Sequence, residues 1–596
     1  MTRRWLLAAL LTLMMLGGGM LALPITPATA QEGLTPTPRP LYALPDPNTT
    51  RVSRSSAIAL AGNQRYVVTA NTFSGTASIV DIAAQEVAAE IPVGDDPRAL
   101  VVAPDQSWMA VSARGAGTVS LIDLTTFELL ESIWVGLWPW GVATDGTTLY
   151  AALQGEDAIA EVDVASRRVL RTMAVPDAPT GLALWGDFLY VTHFYSGALT
   201  LLYVPTGEVV ETVPGTPDSM LSPGLWLDPF EGTAYVPATR ANADNPILTF
   251  DSTVFPVVNV FDLRNLTTQR ARRIALDVAD RPVNMPLDAS FDRARRWLWV
   301  VNAGSNDVSV IDLATGFARA NVPVGNNPRG ITRYADGSFA FVYNALDGTI
   351  SVIETAFMEE INKLPATELD MPIELLIGAQ LFYTGADPRL SEDRWLSCAT
   401  CHFDGGSDGR IWVGFPGGPR NTPLLYNVRE TMPWGWHGDR DELADFNDLY
   451  ITVLHGDGLI EGVRYDPLGV PNAGRSPDLD ALVAYLNTLE GPGRNALHIP
   501  PEDVLAGETV YLAQGCDECH TPPLYTDLTA HDLGSGPIDT PSLRWLWASA
   551  PYYHDGSAST LLDVFAVDEG PHKLLGVIPR ADLERLVTYL RSLPLE

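Results

Sequence analysis

Short apolar stretches recur through residues 55–366, and in six of seven units one of them ends in an acidic landmark residue. A second apolar stretch precedes each landmark, and a turn that carries proline opens most units. A period near 40 residues with about four short strands per unit is typical of a β-propeller blade. The landmarks therefore predict a seven-bladed, all-β propeller over residues 55–366. They are Asp81, Asp123, Asp163, Tyr203, Asp262, Asp312 and Glu354.

The fifth predicted blade is longer than the others. It carries about seventeen extra residues around Ala238 to Pro256, which we expect to form a loop that projects from one face. The only histidine of this half, His193, is expected to lie exposed at a strand end. Strands such as Ser309-Val-Ile-Asp312 resemble those of YVTN-type seven-bladed propellers. The resemblance covers about half the chain and implies a rigid disc for scaffolding or docking.

From about residue 371 the apolar positions change to helical spacing. Stretches at 373–383 and 504–512 each precede a cysteine motif, and matching amphipathic helices at 478–489 and 582–593 follow. This order of helix, cysteine motif and closing helix occurs twice. It predicts a mainly α tandem of cytochrome c domains, the first over 371–492 and the second over 500–596.

All four cysteines of the chain lie in two Cys-x-x-Cys-His motifs. Two thiols one helical turn apart can add to the two vinyl groups of one haem, and the adjacent histidine then ligates the iron. A disulfide or a zinc site are the alternatives. Zinc would need further ligands at finger-like spacing, and a redox dithiol leaves the histidine unexplained. We therefore predict two covalently bound haem c groups, with thioether bonds at Cys398, Cys401, Cys516 and Cys519 and proximal iron ligands at His402 and His520.

The net charge excludes some classes of partner, and the N-terminal sequence indicates where the protein is located. Against 38 Lys and Arg stand 72 Asp and Glu, so the net charge is −34, which argues against nucleic-acid partners and an anionic membrane surface. Residues 1–30 have the layout of a secretory signal, with an uncleaved anchor as the alternative, and 31–54 is a Pro/Thr-rich linker. We expect a periplasmic or extracellular protein without a later membrane span.

Several segments of the C-terminal module resemble the bacterial di-haem cytochrome c peroxidase and MauG group. Gly405-Gly-Ser-Asp-Gly-Arg410 and Gly418-Pro-Arg-Asn-Thr-Pro423 follow the first motif, and Ala550-Pro-Tyr-Tyr-His-Asp-Gly556 follows the second. The resemblance runs from about residue 371 to the end of the chain. It implies an oxidoreductase, and it makes Asn421 with nearby carbonyls a candidate calcium site between the haems.

The departures from that family concern the distal iron ligands. Val413 stands where many members have a histidine that caps the first haem. The methionine that caps the second haem is missing between residues 560 and 579, where His572 is the candidate replacement. His437 and His455 are candidates for a ligand or proton donor at the first haem. The candidate acids for O–O cleavage are Glu442 and Asp445.

Two functions compete at this point. In the first, one iron keeps an open site and reduces hydrogen peroxide or another small oxidant, while the second haem relays electrons from a redox protein. In the second, both irons are six-coordinate, and the protein is a non-catalytic electron carrier that docks a partner through the propeller. Oxidation of an organic or protein substrate on the propeller face is a third interpretation.

Overall fold

The computed structural model describes residues 42–277, 281–494, 496–532, 536–567 and 569–595. The predicted signal segment and the first part of the predicted linker lie outside these ranges. Residues 44–596 form one compact unit, in which a β-sheet half precedes a mainly helical half. Within the described ranges, no helix is both long and apolar enough to cross a membrane.

Seven antiparallel sheets follow one another along the first half, which confirms the predicted seven-bladed propeller. Six blades contain four consecutive strands each, and the first strands of neighbouring blades pack around the centre of the ring. The strands of blades 1 to 3 are Ile58–Ala61, Tyr66–Asn71, Thr76–Asp81, Glu86–Pro92, Pro97–Val102, Trp108–Ala113, Thr118–Asp123, Leu129–Trp134, Pro139–Thr144, Thr148–Leu153, Ala158–Asp163 and Arg168–Ala174. Those of blades 4, 6 and 7 are Pro179–Trp185, Phe188–His193, Leu199–Tyr203, Glu208–Val213, Pro286–Asp292, Trp297–Asn302, Asp307–Asp312, Phe317–Pro323, Pro328–Arg333, Phe339–Asn344, Thr349–Glu354 and Glu359–Pro365.

Each landmark residue ends a strand, and its chemistry explains the turn that follows. The carboxylate of Asp81, for example, accepts hydrogen bonds from the backbone N–H groups of Ala83 and Ala84, both at 3.0 Å. A side chain that bonds the backbone two or three residues ahead stabilises a tight turn. The acidic landmark therefore recurs because each blade must turn from one strand into the next.

Blade 5 differs from the rest, as its length predicts. Two nine-residue strands, Thr233–Ala241 and Val254–Asp262, pair along their whole length and carry the loop 242–253. Short strands complete the sheet at Ser219–Met220, Trp226–Asp228, Thr267–Thr268 and Ile274–Ala275. The loop reaches the C-terminal half, since the N–H of Val413 donates to the carbonyl of Ala243 at 2.9 Å.

A short N-terminal segment joins distant blades at the centre of the ring. Strand Val52–Arg54, at the end of the predicted linker, pairs with the first strand of blade 4. The Arg54 guanidinium lies 2.9 Å from Asp288 in blade 6 and donates to the carbonyl of Ile331 in blade 7 at 3.1 Å. The Ser56 hydroxyl donates to the same carboxylate at 2.6 Å. The segment therefore ties three blades together.

The expectation for His193 is wrong with respect to exposure. It ends the strand Phe188–His193 but is fully buried. Its Nδ1 lies 2.8 Å from the carbonyl of Asp177, and its Nε2 lies 2.7 Å from the Thr200 hydroxyl. Burial lowers its pKa. Both ring nitrogens are engaged, so the side chain has a structural role inside the blade.

The C-terminal half contains the predicted tandem of helical units. In each unit a helix before the cysteine motif crosses a closing helix, Ile373–Tyr383 against Pro477–Leu486 in the first unit and Pro501–Ala513 against Arg580–Ser592 in the second. The helices are α1 Ile373–Tyr383, α2 Cys398–Cys401, α3 Asn447–Thr452, α4 Pro477–Leu486, α5 Pro501–Ala513, α6 Leu561–Val564 and α7 Arg580–Ser592. Short 3-10 turns of this half lie at Phe403–Gly405, Val428–Glu430, Leu443–Phe446, Cys516–Glu518 and Leu546–Ala548, and a further one, Arg270–Arg272, lies in blade 5. Two small hairpins pair Ile411–Trp412 with Arg420–Asn421 and Ala530–Asp532 with Pro537–Asp539.

A glycine lies at both helix crossings. A Cβ on Gly378 would lie 2.0 Å from the carbonyl oxygen of Ala481, and a Cβ on Gly507 would lie 2.2 Å from that of Arg585. Backbones this close leave no space for a side chain. The two crossings are therefore built in the same way, as a duplicated unit requires.

The two units differ in their cores. The first unit shares one hydrophobic cluster with the propeller, in which Trp140 and Phe194 meet Phe403. The core of the second unit is its own, with Tyr511 and Leu586 among its buried side chains. The first unit is thus docked on the propeller face, and the second adds a smaller aromatic contact to it.

Candidate functional site

The first cysteine motif forms helix α2 and is held directly by the propeller. Ser397 and Thr400 form a capping box at its N-terminus. The side-chain amide of Asn284, between blades 5 and 6, donates to Thr400 Oγ1 at 3.1 Å, and its Oδ1 accepts from Ser397 Oγ at 3.2 Å. The same amide also donates to the carbonyl of Trp395, just before the motif, at 2.9 Å. A propeller side chain therefore completes the cap of the motif helix.

Two residues beyond His402, the carboxylate of Asp404 enters an arginine pair on the propeller face. Arg98 of blade 2 pairs with one oxygen, and Arg329 of blade 7 lies 2.9 Å from the other. The Tyr383 hydroxyl also donates to Asp404. Burial alone would raise the pKa of Asp404, but the charges of Arg329 and Arg98 hold it below its usual range. This buried network fixes the backbone just after the motif.

The second motif lies in a more open setting. Its 3-10 turn, Cys516–Glu518, has no buried residue, whereas two residues of α2 are buried. The Tyr511 hydroxyl donates to the carbonyl of His520, and His520 Nδ1 lies 3.2 Å from the carbonyl of Tyr525. These contacts come from its own unit. The two motifs thus share a sequence pattern but differ in what supports them.

His520 faces His572, with ring centroids 6.3 Å apart and ring planes at 30°. Two imidazoles on one metal ion have centroids roughly 6 Å apart, because each metal–nitrogen bond is about 2 Å and each ring adds about 1 Å. The Tyr553 hydroxyl lies 3.4 Å from His572 Nδ1, so the Nδ1 atom of each histidine has a partner. The separation of the two rings is compatible with both histidines ligating one iron.

The protonation of both motifs also suits haem attachment. Burial lowers the pKa of His402 and of His520 to about 4, which keeps both imidazoles neutral and able to ligate a metal. The Nδ1 atom of His402 is buried without a hydrogen-bond partner. All four cysteines are free thiols, and burial raises the pKa of Cys398 and Cys516 to about 11. The residues present fit two covalently attached haems.

Comparisons with known proteins agree with this geometry. Residues 373–454 match the family described as di-haem cytochrome c peroxidase. The methylamine utilization protein MauG of Methylorubrum extorquens is 30% identical over 238 residues, which cover 32% of this chain and 67% of MauG. The chain belongs to the di-haem cytochrome c peroxidase and MauG family. Membership supports a peroxidase-like or related redox function with haem c as cofactor.

Two further relatives of the di-haem module are similar over comparable lengths. The gamma subunit of hydrazine synthase from Kuenenia stuttgartiensis is 26% identical over 262 residues, covering 33% of this chain and 72% of the subunit. Cytochrome c peroxidase Ccp of Escherichia coli is 27% identical over 281 residues, covering 37% of this chain and 58% of Ccp. The chain thus spans little more than half the length of this peroxidase.

His437, the family-atypical histidine, has both ring nitrogens engaged. Its Nε2 lies 2.7 Å from a guanidinium nitrogen of Arg420, and its Nδ1 lies 2.8 Å from the carbonyl of Pro537. These contacts join the hairpin after the first motif to the second unit. The structure therefore gives His437 a bridging position between the two halves of the di-haem module.

The two candidate acids differ in whether a carboxylate oxygen lacks a hydrogen-bond partner. The Glu442 carboxylate accepts hydrogen bonds from the backbone N–H groups of Asn472 and Ala473. Asp445 is buried, and its Oδ1 accepts from the amide of Asn472 at 2.9 Å. Its Oδ2 is also buried and has no hydrogen-bond partner. Of the two acids, Asp445 has the oxygen free for a proton or a polar ligand.

Asn421 lies buried where the two units of the di-haem module meet. Its side-chain amide donates to the carbonyls of Pro551 and Tyr553, and its backbone N–H donates to the carbonyl of His554 at 2.7 Å. Its Oδ1 is buried without a hydrogen-bond partner. An amide oxygen is a donor type that calcium prefers, so Asn421 fits the ion expected there. The carbonyls of Pro551 and Tyr553 are engaged by its amide N–H groups.

The remaining histidines do not pair with a motif histidine within the described ranges. His455 and His498 are exposed, and His498 contacts Trp134 of the propeller edge-on with centroids 5.1 Å apart. His531 Nε2 lies 2.6 Å from Asp527. Cys519 lies close to this pair, and the three side chains could together hold a metal ion. That would use a thiol that haem attachment requires.

Sequence reasoning missed the propeller side chains that contact the motif, although a local signal existed. Arg98 and Arg329 each follow a proline that opens a blade, Pro97 and Pro328. The same position is Trp140 in blade 3. This position begins the innermost strand, so its side chains meet at one face of the ring. Comparing it across the blades would have shown two arginines at equivalent positions on one face of the ring.

Proposed function

We propose that the chain is an extracytoplasmic di-haem oxidoreductase that reduces hydrogen peroxide or another small oxidant at the first haem, with electrons relayed by the second. Peroxide takes up two electrons and two protons and yields two water molecules. A redox protein supplies the electrons. The observation that carries the proposal is the contrast between His520, which faces His572, and His402, for which the described ranges contain no such partner.

Each haem, when bound, supplies the iron for electron transfer and ligand binding. Covalent attachment would use Cys398 and Cys401 in the first unit and Cys516 and Cys519 in the second. His402 and His520 would ligate the irons, and His572 would supply a second histidine ligand at the second site. Support for this assignment comes from the free thiols and the separation of the two imidazoles.

At the first site, Val413 offers no ligand, and the blade 5 loop covers it. Ala243 bonds its backbone at 2.9 Å, and a Cβ on the adjacent Gly414 would lie 2.7 Å from the side chain of Leu248. Apolar residues packed on this segment would restrict water near a haem held by His402, and Val413 would not ligate its iron. Such surroundings would suit a small oxidant.

Asp445 is the group we propose to hold the proton that O–O cleavage needs. Its Oδ2 has no hydrogen-bond partner, whereas Glu442 is held by two backbone N–H groups. Asn472 keeps the other oxygen of Asp445 in place. Calcium at Asn421 would stabilise the contact between the two units, because Asn421 lies where they meet and bonds the carbonyls of Pro551 and Tyr553.

Low-temperature electron paramagnetic resonance of the haem-loaded protein tests the proposal, before and after one reducing equivalent. We expect a high-spin ferric signal from the first iron in one of the two states and a low-spin signal from the second. Two low-spin signals that persist in both states would overturn the peroxidase assignment and leave an electron carrier.

A His572→Gln variant locates the ligand in the same experiment. It should convert the second low-spin signal to high spin, since a glutamine cannot replace the imidazole at the iron. His531→Gln is the matched control, because this histidine lies in the same unit but bonds Asp527. An unchanged spectrum in His572→Gln would exclude His572 as the ligand.

A further inference from the structure

An open cleft of about 580 Å³ lies between blades 4 and 5 and the hairpin that begins at Ile411. We call it the arginine cleft. Its charged lining residues are Arg240, Arg270, Arg273, Arg410, Asp218 and Asp244. Four arginines against two aspartates give a local positive excess in a chain whose net charge is −34.

Two of the arginines are held in place by the protein itself. Arg240 donates through Nε to the carboxylate of Asp218. Arg410 donates through Nη2 to the backbone carbonyls of Tyr195, at 3.2 Å, and of Ser219. Carbonyl oxygens orient the Arg410 guanidinium without neutralising its charge. The cleft therefore presents a fixed cation on the side of the di-haem module.

The other two arginines lie within and just after the 3-10 turn Arg270–Arg272 of blade 5. Across the described ranges, neither Arg270 nor Arg273 forms a side-chain hydrogen bond or an ion pair. Burial, with Arg240 and Arg270 nearby, lowers the pKa of Arg273. Arg270 is exposed and Arg273 is half-buried, and Asp218 offsets part of their positive charge. A bound anion would offset the rest.

The remaining walls indicate what kind of anion fits. Pro217, Ala241, Ala243 and Ile411 supply apolar surface between the charged groups. Guanidinium groups pair with carboxylates through two parallel hydrogen bonds, and binding sites for small molecules commonly measure roughly 300–1,000 Å³. We propose that the arginine cleft binds a small organic acid with at least two carboxylates, whose carbon skeleton lies on the apolar wall.

The position of the cleft gives such a ligand a structural role. A Cβ on Gly409, in its lining, would lie 3.8 Å from the carbonyl of Ala550, and a Cβ on Gly556 would lie 2.4 Å from Ile411. The floor of the cleft is thus packed on the second unit, while its other walls belong to the propeller. A bound acid would bridge the propeller and the hairpin that leads to Val413.

Isothermal titration calorimetry of the haem-loaded full chain with succinate at low ionic strength tests this site, with inorganic phosphate as the second probe. Succinate should bind at one site, and Arg270→Glu/Arg273→Glu should weaken binding by roughly tenfold or more. Arg51→Glu/Arg168→Glu is the control, because it changes the net charge equally at exposed residues outside the cleft. The control should keep the affinity of the unmodified protein.

Three results would overturn the proposal. They are no succinate binding by the unmodified protein, an equal loss of affinity in both double variants, or phosphate binding as tight as succinate. The last would show a bare anion site instead of a site for an organic acid. The absorption spectrum of each variant checks that the di-haem module is intact, and the outcome is independent of peroxide chemistry.

Discussion

The two Cys-x-x-Cys-His motifs have the same pattern but opposite surroundings. The first is part of a core shared with the propeller, is capped by Asn284 and is followed by Asp404 in its arginine pair. The second is supported by its own unit, through Tyr511 and Tyr525. Of the two copies of the unit, the first is therefore docked tightly on the propeller, and the second is more exposed. The helix crossings of the two units are built alike, so the difference lies in the residues that pack against each motif.

This contrast fits two different roles for the two proposed haem sites. A site that excludes water and is held by many contacts can position a reactive centre, whereas an open site can exchange electrons with a partner. The surroundings of the motif histidines differ in the same sense, since His520 of the second motif faces the imidazole of His572. Both assignments remain proposals, and the docking contacts offer direct ways to test the structural side of the comparison.

Replacing Asp404 by asparagine should have the largest effect. The change leaves Arg329 as a buried charge without an ion-pair partner and leaves Arg98 with only Asp96, 2.6 Å away. An unpaired buried charge typically costs about 3–5 kcal/mol of stability. We expect a lower apparent melting temperature of the haem-loaded protein in scanning calorimetry. Glu518→Gln removes a charge from the exposed side of the second motif and should leave the melting temperature nearly unchanged. Equal melting curves for the two variants would contradict the docking role of Asp404.

A moderate effect is expected at the helix crossings. Gly378→Ala and Gly507→Ala each insert a methyl group where the opposing carbonyl oxygen lies 2.0 or 2.2 Å away. Overpacking of this kind costs roughly 1–3 kcal/mol. Denaturant unfolding should show similar losses in the two variants. A loss in only one of them would mean that the units are not equivalent at this level.

The smallest effect is the part of the acid dependence that comes from Asp404 in the first unit. The pKa of Asp404 is lowered in the folded protein, so its carboxylate stabilises the docked state fully above the unfolded value near 4. That contribution is lost as the pH falls from about 4 through the lower folded pKa. Hydrogen exchange measured at pH 7 and pH 3 should show protection falling at α1 and α2 in the intact protein. In Asp404→Asn this pH-dependent part of the loss should be missing.

The propeller was predictable because its signals are local. A landmark such as Asp81 accepts a hydrogen bond from the backbone of the turn that follows it, so the repeat is visible in the sequence. The motifs and their helices were predictable for the same reason. The docking face was not predictable from the sequence. Arg98 and Arg329 are far apart along the chain, and only the closed ring brings blades 2 and 7 to the same carboxylate. Tertiary packing likewise placed His193 in the interior and gave His437 two partners.

The segment around Arg54 also has a consequence for the order of folding. It is among the first parts of the propeller to be synthesised, yet one of its hydrogen bonds reaches Ile331, 277 residues later. Contacts this distant along the chain form late and slowly. The arginine pair that receives Asp404 needs blade 7 as well, so the docking face is complete only once the ring has closed. Assembly of the first motif on the propeller would then be the last step of folding, and any fault in an early blade would delay it.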